Sequence, residues 1–122
     1  MAQENVAIIG ASEKQDRYAY KALKMLLDHD HKAFGVNPFG GSALEHTFFK
    51  KCSEIPEAID TITLYVGPAR LDKMIDDLLL LKPKRIIFNP GTESENAIAK
   101  TKEAGVDVII ACTLVMLSTN QF

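Results

Sequence analysis

The first residues that could do chemistry are Gly10, Ala11 and Ser12, with Lys14 and Arg17 close behind. They stand at the end of an apolar run, Val6–Gly10, and just ahead of a helical pattern. A glycine at a strand end lets backbone approach an anion closely, and amides at a helix start can cradle a phosphate. Ser12 adds a hydroxyl, and Lys14 and Arg17 add positive charge. The plain alternative is a tight turn with Gly10 there for packing. The segment is not a full G-x-G-x-x-G, because Ser12 and Glu13 stand where further glycines would be. It is not a Walker loop either, since no G-K-[ST] occurs.

Three further candidates recur at the same relative place, after an apolar run. The second is Val36-Asn37-Pro38. A dinucleotide domain would place an acid here to grip the ribose 2′-hydroxyl. Asn37 supplies none, which counts against NAD and leaves room for a ligand with a phosphate on its ribose. The third is Tyr65-Val66-Gly67-Pro68 and the fourth Asn89-Pro90-Gly91-Thr92-Glu93. Glycine and proline at both strand ends suggest that backbone, rather than side chains, lines the site. Each loop taken alone reads as a helix start with a proline.

These loops need a scaffold. Val6–Gly10 is apolar throughout, as a strand buried on both faces of a parallel sheet must be. A helix follows over Tyr18 to Asp30, with Ala19, Leu23, Leu26 and Leu27 on one face. Ala33–Asn37 is a second strand stopped by Pro38, and His46–Lys51 an extended piece. Ser53 reads as the N-cap of a short helix over Pro56–Ile59. Thr61–Val66 is a third strand, and Gly67-Pro68 opens a helix reaching Leu81. After strand Arg85–Phe88, Thr92 caps a helix to Ala104 with Glu93 and Glu95 in its first turn, and Gly105 is its C-cap. Val106–Ala111 is the fifth strand, and Cys112–Phe122 stays open between an edge segment and a short helix. The alternation predicts an α/β, doubly wound, five-stranded parallel sheet in one domain over residues 1–122. In such a sheet ligands bind beyond the C-terminal strand ends, at the switch point in strand order.

Composition narrows the partners. A length of 122 residues fits one domain, and 47% apolar with 25% charged residues argues for a globular chain. A net charge of -2 gives no basic field for nucleic acid. Leu78–Leu81, the longest apolar run, is far too short to span a bilayer. Met1–Asn5 lacks a basic region followed by an apolar one, so no secretory signal is expected and the expected location is the cytoplasm. Cys52 and Cys112 share no metal spacing and read as free thiols. His29, His31 and His46 read as solvated surface. Cys112 reads as a buried strand-end thiol, and Glu93 and Glu95 as complements to a helix dipole.

Six segments, in order, carry a resemblance. They are V-A-I-I-G-A-S at Val6–Ser12, V-N-P at Val36–Pro38, I-P-E-A-I-D at Ile55–Asp60, Y-V-G-P at Tyr65–Pro68, I-I-F-N-P-G-T-E-S at Ile86–Ser94 and A-G-V-D-V-I-I-A-C at Ala104–Cys112. With them the chain resembles the coenzyme A-binding Rossmann domains of small bacterial and archaeal CoA-binding proteins. These are similar to the N-terminal part of the succinyl-CoA synthetase α subunit. The resemblance implies a Rossmann-like fold and a diphosphate held by the first loop, at Gly10, Ala11, Ser12 and Arg17. It implies that Asn37 and Pro38 border the adenosine 3′-phosphate end. Val66, Gly67 and Pro68, with Asn89, Pro90 and Gly91, would line the remaining walls. The loop Phe39-Gly40-Gly41-Ser42 departs from the family in carrying no cation, so a 3′-phosphate would fall to Lys14, Lys50 or Lys51.

The expectation is a non-catalytic module for CoA or an acyl-CoA, with a small-molecule nucleotide ligand and neither nucleic acid nor membrane as partner. It names no catalytic residue, metal or protein partner. The competing expectations are an enzyme on a nucleotide-linked substrate, using Cys112 or Glu93, and a scaffold that has lost its ligand.

Overall fold

The computed structural model describes residues 3–122. Met1 and Ala2, part of the opening segment read for a secretory signal, lie outside them. In chain order the elements begin with β1 (Asn5–Ile9), α1 (Tyr18–Asp28), β2 (Lys32–Val36), β3 (Ser42–Ala43) and β4 (His46–Thr47). They continue with β5 (Thr61–Leu64), α2 (Pro68–Leu80), β6 (Arg85–Phe88), α3 (Glu95–Glu103), β7 (Asp107–Ile110) and α4 (Thr113–Ser118). Five strands pair in parallel in the order β2-β1-β5-β6-β7, and each starts within one residue of its expected position. The fold is the expected doubly wound, Rossmann-like one.

Apolar runs fold this way because both sheet faces are covered. Ala7, Ile9, Ile62, Leu64, Ile86 and Phe88 pack with Leu71, Ile75 and Leu78 of α2 and Ala97 of α3. The alternate residues of β1, Val6 and Ile8, pack with Ala19, Leu23 and Leu26 of α1 and Leu117 of α4. Truncating any of the fully buried leucines to alanine would cost about 2–5 kcal/mol. Phe48 lies directly on β2, because a Cβ on Gly35 would sit 2.6 Å from its ring. The extended piece after the β3–β4 hairpin is thereby docked on the sheet edge, where the Phe49 amide donates to the Gly35 carbonyl at 2.9 Å.

Several expectations are corrected. No helix forms over Pro56–Ile59. A single 3-10 turn, Cys52–Glu54, comes earlier, and Ile55 is extended as the residue before a proline tends to be. Thr92 does not cap α3, because its hydroxyl donates to the Asn89 carbonyl at 2.8 Å. Ser94 is the cap and accepts from the Ala97 amide at 3.1 Å. At the other end Ala104 is the C-cap and Gly105 follows it. The open C-terminal stretch contains α4, with half-buried Cys112 as its N-cap. His31 is not a surface residue: it is 3% exposed, accepts from the Glu4 amide at 3.0 Å and packs 5.0 Å from the Phe122 ring. Among the described residues no helix is long and apolar enough to cross a membrane.

Candidate functional site

The chain leaves β1 for β2 on one side and returns to β5 on the other, so strand order switches between β1 and β5. A cleft of about 500 Å³ opens there. Gly10 ends β1 with φ +89, and a Cβ on it would lie 2.6 Å from the Tyr65 carbonyl oxygen. Only glycine lets the first loop cross β5 so closely. Its amide and that of Ala11 both donate to the Val36 carbonyl, at 3.0 and 3.1 Å. Those two N–H groups are therefore spent inside the fold, contrary to the expectation that they face an anion. The amides of Ser12 and Glu13 have no protein acceptor among the described residues. The Ser12 hydroxyl accepts from the Lys14 amide at 3.1 Å and keeps its own hydrogen to donate.

The helix behind the loop adds to this. Arg17 is the N-cap of α1, with no side-chain cap bond and no acid in the first turn. The positive end of the helix is left uncompensated. Tyr18 and Ala19 bring it to the cleft wall.

Of the expected residues, Gly10, Ala11, Ser12, Arg17, Asn37, Val66, Gly67, Pro90 and Gly91 come together in this cleft. Pro38 lines a neighbouring groove instead. Pro68 opens α2 behind the wall. Asn89 is 2% exposed and frames the site from beneath. Its amide donates to Thr63 Oγ1 at 2.7 Å and the Leu64 carbonyl at 2.8 Å, and its oxygen accepts the Thr113 amide at 2.8 Å. Asn37 performs a similar task nearer the surface. It donates to the Ala11 carbonyl and accepts the Phe39 amide, both at 2.8 Å, and so ties the first two loops together.

Sequence reasoning missed Arg70, Tyr18 and Ala19 as lining residues, and gave no role to Tyr65 and Thr92, which stand in its third and fourth candidate loops. Arg70 left a signal: it stands in the first turn of α2, where the helix dipole disfavours a cation. A cation kept there against the dipole points to a task outside the helix. Tyr65 lines the cleft and packs against the core, while its hydroxyl is buried without a hydrogen-bond partner. Burial pushes that phenol up to about 12, so it stays neutral.

The cations of this cleft are unpaired, as are Lys21, Lys50, Lys51, Lys73, Lys82 and Lys102 elsewhere among the described residues. Lys24, Lys32, Lys84, Arg85 and Lys100 each pair with a carboxylate, and none lines the cleft. Lys14, Arg17 and Arg70 line it and form no ion pair among the described residues. In a chain of net charge -2 this is a local concentration of positive charge. Neither Glu93, which accepts from the Gly91 amide at 2.7 Å, nor Cys112 lines the cleft. Unpaired cations, open amides and a free hydroxyl donor make a receptor for a polyanion.

Known proteins place this geometry. A solved structure of an uncharacterized protein is 40% identical, covers 100% of both chains and superposes with a TM-score of 0.94. A hypothetical protein from Pyrococcus horikoshii OT3 is 26% identical over 96% of this chain and 83% of its own, with a TM-score of 0.90. The uncharacterized protein YneT of Bacillus subtilis (strain 168) is 24% identical over 107 residues, 88% of this chain and 79% of that one. A family model described as the CoA binding domain matches residues 4–118, which carry the sheet and every loop of the cleft. The chain belongs to that CoA-binding family.

Proposed function

We propose that this chain is a binding module for coenzyme A or an acyl-CoA, with no catalytic apparatus of its own. The observation that carries the reading is the convergence of unpaired Lys14, Arg17 and Arg70 on the switch-point cleft with Ser12, whose amide, like that of Glu13 beside it, meets no protein acceptor among the described residues. The diphosphate lies against those amides and the start of α1, with Arg17 and Arg70 as countercharges. Gly10 and Ala11 supply close approach rather than hydrogen bonds. Asn37 and Pro38 border the adenosine side. Val66 and Gly67 form the opposite wall with Pro68 behind it, and Pro90 and Gly91 flank the remaining arm above Asn89. Membership of the CoA-binding family supports the choice of ligand. The absence of an acid at Asn37, whose amide is already engaged at both ends, argues against NAD.

Calorimetric titration of CoA and NAD into the wild type and Arg17→Ala, at two salt concentrations, tests the reading. CoA raises the melting temperature more than NAD does; at 100 times its Kd a ligand adds about 2.7 kcal/mol. Arg17→Ala loses about tenfold in affinity at low salt, and the loss shrinks as salt screens the charge. Equal affinities at low salt would pass the phosphate role to Arg70 and Lys14. A large NAD shift with none for CoA overturns the reading, and turnover of an acyl-CoA by the purified chain replaces it with an enzymatic one.

A further inference from the structure

The sheet has two edges, and the chain treats them differently. β2 forms one edge, and the segment after the β3–β4 hairpin covers the C-terminal half of it. There the Phe49 amide donates to the Gly35 carbonyl and the Asn37 amide to the Phe49 carbonyl, each at 2.9 Å. Lys32 opens that strand with a charge and faces Glu57 at 3.4 Å. β7 forms the other edge, and no strand pairs with its outer side among the described residues. The amides of Asp107 and Ala111 donate inward, to the Lys84 and Phe88 carbonyls. By the alternation of a parallel ladder, the N–H and C=O groups of Val108 and Ile110 point outward. Neither lysine nor proline stands in β7, and Ile110 is 56% exposed. Over residues 106–122 Asp107 is the only charged side chain. A bare apolar edge is a template for another strand.

α3, which joins β6 to β7, presents a matching face. Asn96 and Lys100 turn toward α2, where they meet Asp72 at 3.3 Å and Asp76 at 3.1 Å. Ala97 and Thr101 are buried. At 3.6 residues per turn, the side of α3 turned away from α2 and toward the open edge carries Glu95, Ile98 and Lys102. Glu95 and Lys102 are exposed, and neither forms an ion pair among the described residues. A helix face with an acid near its start and a base near its end complements itself when two copies run antiparallel.

We propose that β7 and α3 form a self-association surface, on which a second copy of this chain docks about a two-fold axis. β7 pairs antiparallel with its copy, centred on Ile109. Val108 of each then faces the partner's Ile110, and the outward backbone groups of both are satisfied. Each Asp107 faces the partner's Ala111, so the two carboxylates stand about 13 Å apart along the strands, beyond the screening length of physiological salt. A crossover helix lies over the gap between the strands it joins. The two copies of α3 therefore run antiparallel roughly 10 Å apart, an ordinary packing distance. Glu95 of each meets the partner's Lys102, with Ile98 between them. A strand of four residues is by itself a small contact, and α3 supplies further area. The switch point lies between β1 and β5, inward from β7, so the surface stands apart from the cleft and does not rest on the CoA reading.

Sedimentation velocity over a range of protein concentrations tests this on the wild type, Ile110→Lys, Lys102→Glu, and the exchanged pair Glu95→Lys with Lys102→Glu. The wild type sediments as a dimer that dissociates on dilution. Ile110→Lys places a charge in the dry centre of the strand pair and sediments as a monomer where the wild type is dimeric. Lys102→Glu sets like charges across the axis twice and raises the dimer Kd about tenfold. The exchanged pair brings the Kd back to near the wild-type value, a rescue that a misfolded variant would not show. All three positions are exposed, and the circular dichroism of each variant checks its fold. A wild type that is monomeric at every concentration overturns the proposal. So does a dimer that neither Ile110→Lys nor Lys102→Glu weakens.

Discussion

The two ends of the parallel strands carry similar residue types and use them in opposite ways. At the N-terminal end, Arg85 and Asp60 find their partners within the chain. Arg85 donates from Nε to Thr61 Oγ1 at 2.8 Å and from Nη2 to the Glu4 carboxylate at 3.2 Å, and its guanidinium lies 4.4 Å from the Phe122 ring centre. Asp60 accepts the Asn5 amide at 2.8 Å, and its other oxygen faces Lys84 Nζ at 3.5 Å. At the C-terminal end Lys14, Arg17 and Arg70 meet no carboxylate among the described residues, and the loop amides of Ser12 and Glu13 point at no acceptor. Polar groups that fold a protein find partners inside it. Polar groups left without partners are free to meet a ligand, which is how the proposed module would use the C-terminal end.

The contrast breaks first at its strongest structural contact. Arg85→Ala removes a largely buried cation, its side chain 18% exposed, and leaves the Glu4 carboxylate, 26% exposed, without its countercharge. The expected loss is about 2–3 kcal/mol of stability, read as a lower urea midpoint, with CoA affinity unchanged. Arg70→Ala is the mirror experiment. Its stability should stay within about 0.5 kcal/mol of wild type, because no protein group loses a partner. Its CoA affinity should fall about tenfold, the value of one charge-assisted contact. If Arg70→Ala destabilised the fold while Arg85→Ala weakened CoA, the division between the ends would be wrong.

A smaller effect separates the ends by pH. His31 lies at the N-terminal end, where burial pushes it below its ordinary 6.5, aided by His29 and Arg85 and opposed by Glu4 and Asp30. Its Nδ1 accepts the Glu4 amide, so protonation would set a donor against a donor. The unfolded chain takes up a proton that the native chain resists, so stability is lost as pH falls through 6.5. Urea midpoints measured between about pH 7.5 and 5.5 should fall more steeply for wild type than for His31→Gln. No histidine lines the cleft, so CoA affinity per folded molecule should not follow that slope.

The sequence carried the strands well because a strand covered on both faces must be apolar along its buried length, a local property that Val6–Ile9 and Ile86–Phe88 show plainly. It also placed the loops at the strand ends, since glycine and proline mark them. It could not reveal how groups pair across the sheet. Gly10 and Ala11 look free in sequence, yet their amides go to Val36 because β2 lies beside β1. Asn37 and Asn89 share the same Asn-Pro setting, yet one joins two surface loops and the other anchors α4 through the Thr113 amide. His31 follows a helix end, where surface is the natural expectation, and becomes core only because Phe122 returns to cover it. Thr92 and Ser94 are both good caps by type, and the Asn89 turn decides between them by engaging the Thr92 hydroxyl.

The finest test falls on Tyr65, which lines the cleft at the C-terminal end and reaches the frame beneath it. Its ring packs against the core beside the cleft. Its hydroxyl lies beneath, near Thr63 and Thr113, which bond each other at 2.8 Å and leave it without a partner at hydrogen-bonding distance. A buried hydroxyl that makes no hydrogen bond contributes no pairing energy and carries a desolvation cost. Tyr65→Phe removes that oxygen and keeps the ring. Stability should therefore stay within about 0.5 kcal/mol of wild type or rise slightly, and CoA affinity should not change. A loss of more than about 1 kcal/mol would mean that the hydroxyl donates to a threonine in solution and belongs to the frame under the cleft. Unchanged stability with weaker CoA binding would mean that the hydroxyl turns to the ligand, and the proposed binding site would then reach one layer deeper than its open groups.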